Sequence, residues 1–265
     1  IGDQFKSPIL GVEVSIPKLN IKSITNSDGS YSFGFGESAD KTIPPGVYRA
    51  IVNENQKNKR FGSVEKWITV TEGEYNIQTL TTLPILNKQV PYSRISSGEP
   101  VAILNNGDLE LDLSDAELFF QDGRNKGDIH VQFTNHNQLS YASTEIAIPH
   151  WMYSINPIAI EVRGTVGLKF KIPKKLGSHE YIRNAGSKVL ILGLDNKSLM
   201  LTPVGTGTID FESMMVVTDK KVSLDRLDYI GYARVGLVFE GDLEAYANDE
   251  ITLEQLIARF MSYGE

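Results

Sequence analysis

Cysteine is absent from the 265 residues. Disulfide staples, thiolate zinc sites and cysteine nucleophiles are therefore excluded together. The compartment stays open, because secreted β-proteins can also lack cysteine. Long apolar runs are missing as well. No stretch approaches the ~18 to 20 residues that span a bilayer as a helix, so no helical membrane span is expected. Histidine is scarce, at four residues. The phosphate-cradling patterns GxGxxG and GxxxxGK[ST], the zinc-peptidase pattern HExxH and the nucleophile elbow GxSxG do not occur. No secretory leader is evident. The first residue is Ile1, which reads as a processed terminus or the cut edge of a longer polypeptide.

What is present is ordinary for a globular protein, with 41% hydrophobic and 22% charged residues. A chain of this length can bury more than one core without staples. The formal net charge is −7, from 26 basic and 33 acidic side chains. That balance disfavours nonspecific binding to nucleic acid or anionic membranes.

Short period-two runs fill the first 85 or so residues. They are GVEVSI (11–16), SYSFGF (30–35), GVYRAIV (46–52) and VEKWITV (64–70). Alternation with β-branched and aromatic enrichment predicts half-buried strands. NSDG (26–29), PPG (44–46) and TEG (71–73) supply turns between them. TLPILNKQVPYSRISSGEP (82–100), with three prolines, reads as a domain junction near residues 86–98. A second β-rich block follows, opening with VAILNNGDLELDL (101–113), a strand–turn–strand hairpin signal. Further strands are expected at 127–134, 143–148, 158–172, 187–195, 199–205, 208–218 and 230–239. Residues 247–265 change period. Ile251, Leu253, Leu256, Ile257 and Phe260 fall at helical spacing, and Asn248 or Asp249 is the expected N-cap.

The expected fold class is all-β. It comprises a β-sandwich over residues 1–88, a second β-rich sandwich domain over 89–240, and a C-terminal helical segment over 241–265. The helix is expected to dock on the second domain or on a partner.

Three motifs of the first block carry a resemblance. PILGVEVSIP presents Leu10, Gly11, Val12 and Val14. ITNSDGSYSFGF presents Thr25, Asp28, Gly29, Tyr31 and Phe33, and IPPGVYRAIV presents Pro45, Gly46, Tyr48, Ala50 and Val52. Together, over about the first 85 residues, they resemble the carboxypeptidase regulatory-like domain, a transthyretin-like β-sandwich. The resemblance implies a non-catalytic accessory or spacer in bacterial surface and secreted proteins. The second block is weakly similar to β-modules of large bacterial surface proteins. The carrying stretches are IPHWMYSINPIAIEVRGTVGLKFKIP and LTPVGTGTID, with Pro157-Ile158-Ala159 where such modules place Pro-x-Gly.

Candidate sites have plain structural readings. Asp28-Gly29 fits a tight turn better than a ligand loop. DGRNKGD (122–128) offers Asp122, Asn125 and Asp128 as oxygen donors, but not at EF-hand spacing. LELDLSDAE (109–117) sets Glu110, Asp112 and Ser114 on one strand face, as solvent-facing alternation would. KNKR (57–60) is a short basic run suited to a loop. His130, His136, His150 and His179 lack ligand spacing. No catalytic residue, cofactor or metal ligand is assigned. The expected contact surfaces are aromatic or apolar: Trp67; the HWMY cluster, through His150, Trp151 and Tyr153; and the terminal helix, through Leu253, Leu256 and Phe260.

The function expected is that of a non-catalytic spacer and protein-contact segment of a larger bacterial extracellular or periplasmic protein. Its partners would be other protein domains or subunits, with homo- or hetero-oligomerisation as one route. The alternatives are a carbohydrate- or peptide-binding adhesin module, an accessory region of a secreted hydrolase, and a subunit of an oligomeric envelope assembly.

Overall fold

The computed structural model describes residues 1–3, 5–33, 43–54, 58–72, 80–134, 151–172, 188–235 and 239–262. The chain is mostly β, in large antiparallel sheets, and it divides into two compact units. The first is built from Ile1–Gln89 with Asn156–Ile158, and the second contains the strands from Val90 onward and Ala159–Glu265. The expected strand at 143–148 lies outside the described residues.

The first unit contains β1 (Gly2–Asp3), β2 (Glu13–Ile16), β3 (Ile21–Ile24), β4 (Gly46–Val52), β5 (Val64–Val70) and β6 (Thr82–Leu83). Four strands form an antiparallel sheet in the order β3-β2-β4-β5, and β1 pairs with β6 in parallel. Alternation decides the faces. Ile16, Ile21, Tyr48, Ala50 and Ile68 cluster on one side, with Phe33 packed against them. Phe33 reaches that core from outside any strand; residues 30–33 of the run expected at 30–35 form no strand, and residues 34–35 lie outside the described residues.

The Asp28-Gly29 turn is closed by Gly29 N–H to Asn26 O (2.9 Å), Asn26 N–H to Ser30 O (2.8 Å) and Ser30 N–H to Asp28 Oδ1 (2.9 Å). Gly29 has φ +75°, and a Cβ there would stand 2.2 Å from Ile1 O. Both conformation and space demand glycine. Thr25 anchors the start of the turn, donating to Ile9 O (2.6 Å) and accepting from Val12 N–H (2.9 Å).

In the second unit the strands are β7 (Tyr92–Ser96), β8 (Ala102–Leu104), β9 (Leu109–Phe119), β10 (Lys126–Thr134), β11 (Trp151–Asn156), β12 (Glu161–Lys171), β13 (Lys188–Leu194), β14 (Leu201–Asp210), β15 (Met215–Thr218) and β16 (Tyr229–Arg234). They form one ten-stranded sheet in the order β7-β10-β11-β16-β13-β14-β15-β12-β9-β8. β7 falls inside the stretch read from sequence as a junction, because Ile95 is its single fully buried apolar residue. The runs expected at 199–205 and 208–218 redistribute into β14 and β15, since the intervening Thr206-Gly207 continues the ladder. The hairpin around Asn106-Gly107 forms, pairing Ala102, Ile103 and Leu104 with Leu111, Glu110 and Leu109.

The sheet curls until its ends nearly meet. Residues 97–99, linking β7 to β8, bond across to β9. Gly98 N–H reaches Ala116 O (3.1 Å), Leu113 N–H reaches Glu99 O (2.9 Å), and Leu118 N–H reaches Ser97 Oγ (2.7 Å). Inward side chains from every strand of the sheet converge on one large apolar core, including Leu111, Ile129, Tyr153, Val166, Phe170, Ile191 and Ile230. Alternation alone does not distinguish a sandwich from a curled sheet, because each hides one face of every strand.

Among the described residues, two helices complete this unit, α1 (Glu240–Ala247) and α2 (Leu253–Ser262). The α2 cap is Thr252, and not Asn248 or Asp249. Thr252 Oγ1 accepts from Gln255 N–H (3.2 Å), while Gln255 Oε1 accepts from Thr252 N–H (2.8 Å). This reciprocal pair satisfies two terminal donors. Asn248 instead caps the end of α1, and Asp249 turns the chain at φ +62°. Thr252→Ala is expected to destabilise α2 by about 1 kcal/mol. Faster amide hydrogen exchange in α2, with β13 unchanged, would report it; unchanged exchange would contradict it.

Candidate functional site

Among the described residues, the outer face of β9 and β12 holds a dense group of ionisable side chains. β9 carries a bulge there. Asp112 pairs with Gly167 and Asp115 with Thr165, so Leu113 and Ser114 together oppose Val166. Glu110, Asp112 and Ser114 share the outward face, with Leu109, Leu111 and Leu113 turned inward, and the bulge adds Asp115 beside Ser114. Lys221 reaches this point, with Nζ 2.6 Å from Ser114 Oγ, 2.7 Å from Asp115 Oδ2 and 2.9 Å from Asp112 Oδ2. Ser114 Oγ donates to Asp112 Oδ1 (2.6 Å).

A serine beside a lysine is the outline of a nucleophile and its base. Here the electrostatics point the other way. Hydrogen bonds to Asp115 and Asp112 raise the Lys221 pKa and hold it as an ammonium. The Ser114 hydroxyl and N–H, followed by Lys221, lower the Asp112 carboxyl to about 2. The group therefore acts as a tether across the bulge. A depressed carboxyl stabilises the fold above its unfolded value of about 4 and loses that contribution as pH falls through the folded value. The tether is thus expected to release between pH about 4 and 2, and carboxyl NMR would follow the Asp112 titration. Ser114→Ala is expected to raise the Asp112 pKa more than Lys221→Ala. An Asp112 that titrates like an ordinary carboxylate in the unaltered protein would refute this.

Along the same face the charges pair across strands. Lys169 lies 3.2 Å from Glu110, and Lys171 lies 3.7 Å from Asp108. The Arg163 guanidinium stacks over Phe119 at 4.4 Å. A second group is half-buried. Lys188 Nζ donates to Thr208 Oγ1 and Asp219 Oδ1 (both 2.9 Å), and Thr206 Oγ1 donates to Asp219 Oδ2 (2.6 Å). Burial pushes the Asp219 pKa up, but the bonds from Thr206, Thr208 and Lys188 outweigh it and the net shift is downward.

The third group is the most buried. Arg226 and Asp228 form an ion pair with side chains 1% and 0% exposed. Asp228 Oδ1 also accepts from Ala159 N–H (2.6 Å), and Arg226 Nη1 donates to Asn196 Oδ1 (3.3 Å). Backbone bonds run alongside: Ile155 N–H to Asp228 O (2.7 Å), Leu227 N–H to Ile160 O (3.0 Å) and Val162 N–H to Asp225 O (3.0 Å). The pair thus fastens Ile155 and residues 159–162 to residues 225–228. The long-range partners in these groups are not visible in sequence spacing, since Lys188 and Asp219, for example, are 31 residues apart.

The residues singled out from sequence are spread over the structure. In the first unit, Trp67 stands on β5 opposite Arg49, 42% exposed. Arg49 bonds the buried Glu65 carboxylate on that strand at 2.6 Å. In the second unit, Trp151 and Tyr153 begin an aromatic series. Phe133, 43% exposed, stacks on Trp151 with centroids 3.9 Å apart. Trp151 meets Tyr153 edge-on, Tyr153 lies beside Phe170, and Phe170 meets Tyr232. Burial raises the pKa of Tyr153, whose hydroxyl donates to Asp108 O (3.1 Å), and lifts Tyr232 to about 12. His150, with His136 and His179, lies outside the described residues. His130 is buried on β10 against the edge of the Tyr92 ring. Sequence reasoning did not single out Phe133, which falls within the strand expected at 127–134.

Leu256 and Phe260 are buried against Leu190, Leu192, Ala233 and Leu243, with Leu253 packed beside them. The apolar face of α2 is therefore occupied within its own unit. The DGRNKGD donors diverge. Asp122 pairs with Arg124 (2.6 Å) and Asp128 with Arg94 (3.7 Å), while the Asn125 carbonyl accepts from Ser97 N–H (3.0 Å). Of the KNKR run, Asn58 O accepts from Asn53 Nδ2 (3.1 Å) and Arg60 lies over the Phe61 ring.

No protein-family model matches the chain, and no curated protein matches it in sequence. Among the described residues no three histidine, aspartate or glutamate side chains are grouped to hold a metal ion. Among them, too, no helix is long and apolar enough to cross a membrane.

Proposed function

We propose that the chain is a non-catalytic structural and interaction segment of a larger bacterial extracellular or periplasmic protein. It acts as a spacer and protein-contact module. In this reading residues 1–88 are a carboxypeptidase regulatory-like sandwich. The ten-stranded sheet of the second unit is a second sandwich drawn into barrel form, its apolar side folded inward. The observation that carries the reading is how the charged side chains are used. Lys221 and Lys188 through ion pairs, and Arg226 through its bond to Asn196, each lace separate stretches of the second unit together, and the 97–99 segment ties the ends of its sheet. Such cross-links favour stiffness, which a spacer needs.

Single-molecule stretching of the chain between two handles tests the spacer role. Discrete unfolding steps are expected from both units. A chain that extends smoothly, as an unstructured linker does, would overturn the reading.

One observation favours a second reading, the adhesin module. Phe133 presents an exposed ring already stacked on Trp151, and an exposed aromatic platform suits the apolar face of a sugar. A glycan array separates the two. The spacer reading expects no binding above background for the unaltered protein. Binding that disappears in Phe133→Ala would establish the adhesin reading in its place.

A further inference from the structure

We draw no further inference here: the strongest candidate, the aromatic pair of exposed Phe133 and partly buried Trp151 on β10 and β11 of the second unit, is an apolar surface patch and nothing in the structure shows what covers it.

Discussion

Asp228→Ala is expected to lower the stability of the second unit by about 3–5 kcal/mol. The cause is the charge left behind. Arg226 is almost fully buried, and its guanidinium faces the Asp228 carboxylate. Removing the carboxylate strands that cation in a region of low dielectric and also takes the acceptor from Ala159 N–H. The unit carries its own reporter, because Trp151 lies in the second unit and Trp67 in the first. In a Trp67→Phe background, urea unfolding followed by Trp151 fluorescence reads the second unit. The double variant Arg226→Met, Asp228→Leu removes both charges, and it is expected to recover most of the loss. A loss below ~1 kcal/mol for Asp228→Ala would show that the pair is relieved by water or by movement of Arg226.

Phe260→Ala is expected to cost about 3–5 kcal/mol by opening a cavity beneath α2. The Phe260 ring stacks on Phe239 with centroids 4.5 Å apart and is 5% exposed. It completes a small core shared by α2, α1 and the outward faces of β13 and β16. Because that face is occupied from within, the substitution is expected to reduce stability and leave the mass in solution unchanged. Light scattering would measure the mass and urea unfolding the stability. A change of oligomeric state with little loss of stability would mean that Phe260 meets another chain instead.

The β character of the chain is legible because alternation is local: Val14 and Ile16, or Val166, Leu168 and Phe170, declare their shared face within a few residues. The α2 helix is legible for the same reason, and Thr252-x-x-Gln255 held the correct cap signature in plain sight. Strand order is not local. β12 sits between β9 and β15, and nothing in its sequence names those neighbours. β7 was hidden because Tyr92, Arg94 and the serines around Ile95 spend little apolar surface on the core. The polar groups were least legible. The bulge that gathers Asp112, Ser114 and Asp115 depends on a register shift against β12, and Lys221 arrives from more than 100 residues away.

The position of β16 has a consequence for how the second unit is made. This strand comes late in the chain, yet it lies in the interior of the sheet, between β11 and β13. A nascent chain leaving the ribosome therefore holds two incomplete half-sheets until Arg234 has emerged. Until then β11 and β13 each present an open edge, the kind of surface that recruits foreign strands. Insertion of β16 joins the halves, and only then is the platform of Leu190, Leu192 and Ala233 whole for the helices to cover. A message truncated before this strand would yield a sticky product, not a smaller working version of the unit.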